Sequence, residues 1–319
     1  MQNPPIGYSG QYLDNHAFRI KIRTGSDIHN ATGDSVLGEL FLETGMNASE
    51  TQITGKLYCA TATTDTDVAG EKQHIFHVSD LTNRWVNFPN KYSIQLDGSS
   101  DYMDTNATWW PSPLQSSFSL SMWVKFDSTA GADHQAVFGQ NAITHFDLYF
   151  QLSTNKVTVR YKSESAGSSH NLSYTKSAGW NSSDWVHLAF TAEQVGATMV
   201  EKLFVDGVLE ATQSVTNDMS VYSSSDNLYV GGRNSSGTLN LPFEGKIDEV
   251  ALFPSALSEA AIAAIYGGGT PTSLSSYSPV AWWRMGDDNL GAGSTVTNKA
   301  NPGTNDGTLI GSTFSTDAP

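Results

Sequence analysis

GKIDEVALF, residues 245–253, reads as a strand, yet it sets Asp248 and Glu249 side by side among apolar residues. Side chains alternate across a strand, so Ile247, Glu249, Ala251 and Phe253 are expected on one face. Asp248, Val250 and Leu252 are expected on the other. Both faces are otherwise apolar, which predicts burial on both sides with one carboxylate on each. A carboxylate taken out of water without a partner is costly. Arg284 and Arg233 are the candidate partners, Glu249 being the more suited to such an ion pair.

Outward from this strand the same texture recurs. From about residue 91, apolar-polar alternation returns roughly every ten residues, the spacing of an all-β sandwich or barrel. The runs are YSIQLDG, FSLSMWVKF, HQAVFGQ, FDLYFQLS, KVTVRYKS, HNLSYTK, WVHLAFTAE, EKLFVDGVLEATQ, NLYVGGR and GKIDEVALF. Phe118, Leu120, Met122, Val124 and Phe126 line one face of theirs. Asp206-Gly207 supplies the positive φ angles of a two-residue hairpin turn. The one clear helix is LSEAAIAAIYGGG, capped by Ser258 and ended by Gly267. A Ser/Thr/Pro linker, TPTSLSSYS, leads to a tail, PVAWWRMGDD to NDGTLIGSTF, that resumes strand patterning. In the tail Val280, Trp282 and Arg284 share one face, and Ala281, Trp283 and Met285 the other.

Composition narrows the function classes. Charged residues make up 15% and aromatics 11% of 319 residues, with Gly, Ser, Thr and Asn abundant, which suits short strands joined by polar turns. The net charge of −15 makes the chain a poor partner for nucleic acid or anionic membrane, since phosphate contacts need Lys and Arg. Cys59 is the single cysteine, so neither an internal disulfide framework nor a zinc cluster is possible, and a small buried side chain is its expected role. MQNPPIGYSG has neither the charged nor the apolar region of a signal peptide, and no apolar run reaches membrane length. The expectation is a chain made in a cytoplasm that stays soluble.

Residues 1–30 read as an arm whose AFRIKIRTG alternates as a short strand. Arg19, Lys21 and Arg23 form a basic strip there, either a solvated face or a docking strip for an acidic partner. Residues 31–88 hold a few short strands with too little apolar mass for a secure core of their own. Residues 89–319 form the large β domain.

SIQLDGSSDYMD, FSLSMWVKF, WVHLAFT, LFVDGVLEAT, LYVGGR and GKIDEVALFPSALSEAAIAAIY occur in that order. Together they resemble a concanavalin A-like, laminin-G-type jelly roll over Ser93 to Tyr266. The resemblance implies an all-β fold, two curved antiparallel sheets packed face to face. AWWRMGDD to NDGTL resembles a segment that many such domains carry ahead of the SIQLDG strand. Here it follows the helix, so residues 279–319 read as a permuted segment completing the sandwich, in this copy or a neighbour. The arm, the GELFLETG and GKLYCAT segment and the jelly roll are together similar to structural proteins of tailed, notably marine, bacteriophages.

Three function classes follow. Catalysis is disfavoured: the E-x-D-x-x-E arrangement of laminarinase-like glycosidases is absent, as are G-x-S-x-G and H-E-x-x-H. Asp248 and Glu249, if on opposite faces, cannot flank one glycosidic bond. A sugar-binding module is the second class, with Trp109 and Trp110 in the loop TNATWWPSP as candidate glycan platforms, while Trp180 and Trp185 read as caps of the sandwich ends. A virion protein is the third. It would be a head decoration or fibre-type appendage made in the host cytoplasm, docked to the major capsid protein or another virion protein through its N-terminal part. Self-association as a homotrimer and binding of cell-surface glycans go with it. A tail-fibre receptor-binding protein, or a carbohydrate-binding module of a bacterial polysaccharide-binding protein, is the alternative. The resemblance further implies a structural Ca2+ held by Asp248, with Asp97 of the LDG turn approaching it.

Overall fold

The computed structural model describes strands at residues 18–22, 36–44, 51–58, 63–66 and 72–75, and then residues 90–108, 117–127, 131–141, 145–162, 169–216 and 226–319. The chain divides into two units, Met1–Val86 and Asn87–Pro319. In the first, β1 (Phe18–Ile22), β2 (Val36–Thr44) and β3 (Thr51–Tyr58) form an antiparallel sheet, and β4 (Thr63–Thr66) pairs with β5 (Lys72–Ile75). The strand expected in a separate arm thus belongs to this sheet, with Arg19 across from Glu43 and Lys21 across from Phe41. Arg23 and Cys59 lie outside the described residues.

The second unit is the all-β sandwich that the alternation predicts. The front sheet runs in the order β15 (Val208–Thr216), β14 (Thr198–Val205), β13 (Val186–Val195), β8 (Ser117–Phe126), β19 (Glu244–Phe253), β6 (Ser93–Asp97) and β23 (Thr313–Ser315), with β20 (Ala281–Trp283) also on β19. The back sheet runs β12 (Ser169–Thr175), β11 (Lys156–Lys162), β10 (His145–Gln151), β9 (His134–Asn141), β16 (Tyr229–Val230), β7 (Tyr102–Asp104), β22 (Gly307–Ile310) and β21 (Thr295–Val296). To it β17 (Arg233–Ser235) and β18 (Thr238–Asn240) add a small hairpin. Phe118, Leu120, Met122, Val124 and Phe126 do share the inner face of β8, and meet Phe146, Leu148 and Phe150 of β10. Each such side chain contributes roughly 1.5–3 kcal/mol on burial. Phe126 and Phe150 meet edge to face at 4.7 Å, and Trp180 closes that end of the core over both.

The outer face of the front sheet carries the helix α1 (Glu259–Tyr266). Ser258 Oγ accepts the Ala261 N–H, and Gly267 ends the helix at φ 62°. Ile262 of α1 packs on Ala189 and Phe204, while Ile265 and Leu274 pack with Ala251, Phe253 and Trp282. The tail is an integral part of both sheets: β20 lies on β19, β22 on β7 and β23 on β6. Ala281, Trp283 and Met285 enter the main core, and Trp282 the outer cluster, as the alternation of PVAWWRM requires.

GKIDEVALF departs from simple alternation. Asp248 stands opposite Trp123 and Ala251 opposite Ser121, so two residues of β19 span one of β8. This is a β-bulge, and Glu249 takes φ 49° within it. The bulge flips the phase. Ile247, Val250 and Leu252 face the main core, Ala251 and Phe253 the outer cluster. Asp248 and Glu249 therefore lie on the same, outer side, not one on each face as alternation predicts.

Candidate functional site

Both carboxylates of the bulge are buried and both are satisfied. Glu249 Oε1 accepts from Arg284 Nε at 3.0 Å, and Oε2 accepts from the Trp282 indole N–H. Arg284 also reaches Asp287 Oδ2 at 2.7 Å. Asp287 in turn accepts the backbone N–H groups of Lys91 and Tyr92. Asp248 accepts from Asn90 Nδ2 at 2.8 Å and from the Glu249 N–H at 2.7 Å. Burial, and then the charge of Glu249, push the Asp248 carboxyl well above the usual range. Arg284 is thus the partner of Glu249, while Arg233 is engaged elsewhere.

Asp97 sits four residues further along β6 than Ser93, in an exposed turn. Its Oδ1 accepts the N–H groups of Ser99, Ser100 and Asp101, and its Oδ2 the Ser99 hydroxyl. Ile247 pairs with Ile94 and Glu244 with Asp97, so Asp97 and Asp248 lie near opposite ends of the paired segment, roughly 13 Å apart along the strand. The two do not fit one calcium ion. Among the described residues no group of three or more His, Cys, Asp or Glu side chains is placed to hold a metal. Trp109 and Trp110 lie outside the described residues.

The back sheet carries a polar array that the alternation within single strands does not reveal. The strand registers align Thr308, Asp104, Tyr229, Gly139, Asp147, Arg160 and Asn171 side by side across seven strands. Their neighbours Leu309, Met103, Val230, Phe138, Phe146 and Leu148, Val159 and Leu172 fill the core, which puts the row on the outer face. At about 4.8 Å between strands, it runs for roughly 30 Å. At Gly139 the row has no side chain, and a Cβ there would fall 2.6 Å from the Phe146 carbonyl oxygen. Tyr102 stacks on Tyr229 at 4.3 Å.

Asp147, next to Gly139, is the ionic hub of the row. Its carboxylate is fully buried and accepts from Arg160 Nε at 3.1 Å, from the Arg160 terminal nitrogen at 2.6 Å and from Arg233 at 2.8 Å. The second fork of Arg233 reaches Asn240 Oδ1 at 2.7 Å, and its Nε–H is a buried donor with no acceptor. Two guanidinium groups share one carboxylate, which leaves one positive charge in surplus. Arg160 also lies over the Tyr149 ring at 5.3 Å, and Tyr149 stacks on the exposed His134 at 5.9 Å. A ring plane beside rigid guanidinium forks suits polar, ring-shaped ligands. The signal was present in FDLYFQLS and KVTVRYKS, where Asp147 and Arg160 fall on polar positions. Their pairing needed the register of β10 on β11.

Among solved structures, the CBM40 of Ruminococcus gnavus IT-sialidase bound to α2,3-sialyllactose is similar to this chain at 21% identity and TM-score 0.45, covering 55% of this chain and 96% of that one. NanB sialidase from Streptococcus pneumoniae is similar at 20% identity and TM-score 0.44 over 58% of this chain, which spans 28% of NanB. The native heptameric SAP-like pentraxin from Limulus polyphemus is similar at 12% identity and TM-score 0.41, over 56% of this chain and 82% of the pentraxin. No curated protein matches the chain. Residues 97–263, more than half of the chain, match the laminin-G-type model of the concanavalin A-like lectin/glucanase superfamily, and the chain belongs to that superfamily.

Proposed function

We propose that the protein is a non-catalytic glycan-binding appendage whose ligand lies along the back-sheet row, over Tyr149, Arg160 and Arg233. The observation that carries this reading is the Arg160–Asp147–Arg233 cluster beside the Tyr149 and His134 rings. It combines fixed donors with a flat aromatic surface, the pairing that sugar hydroxyls and pyranose faces require. A non-catalytic role is supported by the state of the carboxylates. Asp147 is neutralised by two arginines, and Glu249 and Asp248 are committed to Arg284, Trp282 and Asn90.

The setting we propose is a virion. The N-terminal strands, with Arg19, Lys21 and Arg23, would dock to the major capsid protein or another virion protein, and the jelly roll would present its back sheet to cell-surface glycans. Support comes from the order of a small β module and a laminin-G-like domain in the sequence. A homotrimer goes with this reading, the first module having little apolar mass of its own.

Binding is tested on a glycan array with the full chain and with Tyr149→Ala, which removes the ring but leaves both arginines on Asp147. Wild-type binding lost in the variant, at an unchanged melting temperature, is the expected result. Equal binding by both proteins would place the ligand elsewhere. Deleting residues 1–30 should abolish incorporation into particles, and light scattering should report three copies. Genes for polysaccharide use flanking the coding sequence, in place of capsid, portal and tail genes, would move the module from a virion to a bacterial polysaccharide-binding protein.

A further inference from the structure

The outer face of the front sheet holds a second cluster, distant in sequence from the back-sheet row. Lys246 of β19 stands directly across from Lys125 of β8, and Trp185 precedes Val186, which pairs with Val124. Two ammonium groups side by side on neighbouring strands repel each other and need an anion. Asp127 supplies one for Lys246, at 2.7 Å. For Lys125 the anion is Asp317, which comes from the segment after β23. Its Oδ2 lies 2.8 Å from Lys125 Nζ and 3.7 Å from Lys246 Nζ, and its Oδ1 accepts the Trp185 indole N–H at 3.1 Å.

We propose that Lys125, Lys246 and Trp185 form a binding socket for a carboxylate-bearing sugar, and that Asp317 is a built-in plug that occupies it in competition with that ligand.

Three features distinguish a socket from a simple clip. First, the donors are fixed on packed strands, whereas the acceptor rides on residues 316–319, which form no strand. Second, the donors are recessed and the acceptor is not: the lysine side chains are 18% and 13% accessible, that of Asp317 40%. Third, the two Asp317 oxygens are read separately, one by the indole and one by the ammonium groups. A carboxylate on a rigid ring meets that two-point arrangement as well as an aspartate does. Displacing the plug breaks one partly exposed ion pair and one indole hydrogen bond, both of which the incoming carboxylate remakes. What holds the segment besides is the Ser93 hydroxyl on the Asp317 carbonyl at 2.7 Å and the Asp317 N–H on Ser315 Oγ. Neither bond involves the carboxylate, so both survive its replacement. The choice of a sugar as carrier rests on the glycan-binding reading, whereas the socket does not.

The test titrates trigalacturonate, with maltotriose as the uncharged control, into the full chain and into Asp317→Ala, by calorimetry and tryptophan fluorescence. Asp317→Ala should bind trigalacturonate about tenfold or more tighter than wild type. Adding Lys125→Met to that variant should abolish the gain, and neither protein should bind maltotriose. Asp317→Asn, which keeps the indole bond and loses the charge, should show an intermediate gain and serves if the alanine variant melts early. No gain in either variant would overturn the proposal, as would a gain that persists with Lys125→Met. A tetraglutamate peptide bound as tightly as trigalacturonate would overturn the sugar as ligand. Repeating the series in a Tyr149→Ala background removes any back-sheet contribution: the Asp317→Ala gain and its loss with Lys125→Met should both persist there, so the back-sheet reading and the socket stand or fall separately.

Discussion

Asp248 is a carboxylate that the fold would hold more readily as a neutral group. Burial raises its pKa first, then the charges of Glu249 and Asp287, against hydrogen bonds from Asn90 and the Glu249 N–H. A raised carboxyl contributes stability that is full below its unfolded value of about 3.8 and lost as pH rises. Asn90 Oδ1 is itself buried without a donor. Asp248→Asn, with the Asn90 amide turned over, should therefore pair the two amides and raise stability at pH 7 by about 1–3 kcal/mol, measured by urea unfolding. Arg284 is the opposite case. Arg284→Met would strand Glu249 and Asp287 as buried charges, and should cost roughly 3–5 kcal/mol. His187 adds a pH dependence of its own. Its Nε2 lies 2.9 Å from Ser121 Oγ beneath α1, and burial pushes the imidazole down to about 3. The unfolded chain binds that proton near 6.5, so stability from this residue is full above 6.5 and falls as pH drops towards 3, by about 1.4 kcal/mol per unit. His187→Gln should flatten that part of the melting curve against pH.

At the scale of elements, the strands of the jelly roll were legible because their apolar residues recur at a period of two, on one face or on both. β8, β13 and the tail strand β20 show the faces that alternation assigns. The hairpin turn at Asp206-Gly207, at φ 50° and 76°, and both ends of α1 follow from local chemistry. The bulge in β19 was not legible. Its positive φ falls on a glutamate rather than a glycine, and what holds Glu249 there is Arg284, 35 residues later. Asp147 was missed for the same kind of reason, since β11 and the hairpin of Arg233 complete it. The tail makes the sharpest prediction at this scale. Truncation after Tyr277 removes β20, β22 and β23, strands in both sheets, and should give insoluble or molten protein. Trp283→Ala, at a fully buried ring, should cost roughly 3–5 kcal/mol by chemical denaturation.

For the whole molecule, the division at Val86–Asn87 predicts that residues 87–319 expressed alone keep the melting transition of the jelly roll in the full chain. Calorimetry of the two proteins checks it. Since Asp97 and Asp248 do not converge, EDTA should leave that transition where it is. The order of strands carries a further consequence. β6 opens the sandwich and β23 closes it, and they are adjacent, Ser93 across from Ser315. The polypeptide therefore enters and leaves at one spot, with a gap near 5 Å between the paired backbones. A unit built this way behaves as a cassette. It can be spliced into a surface loop of a host protein without prising that loop apart, and its ends can be joined and reopened elsewhere with little strain.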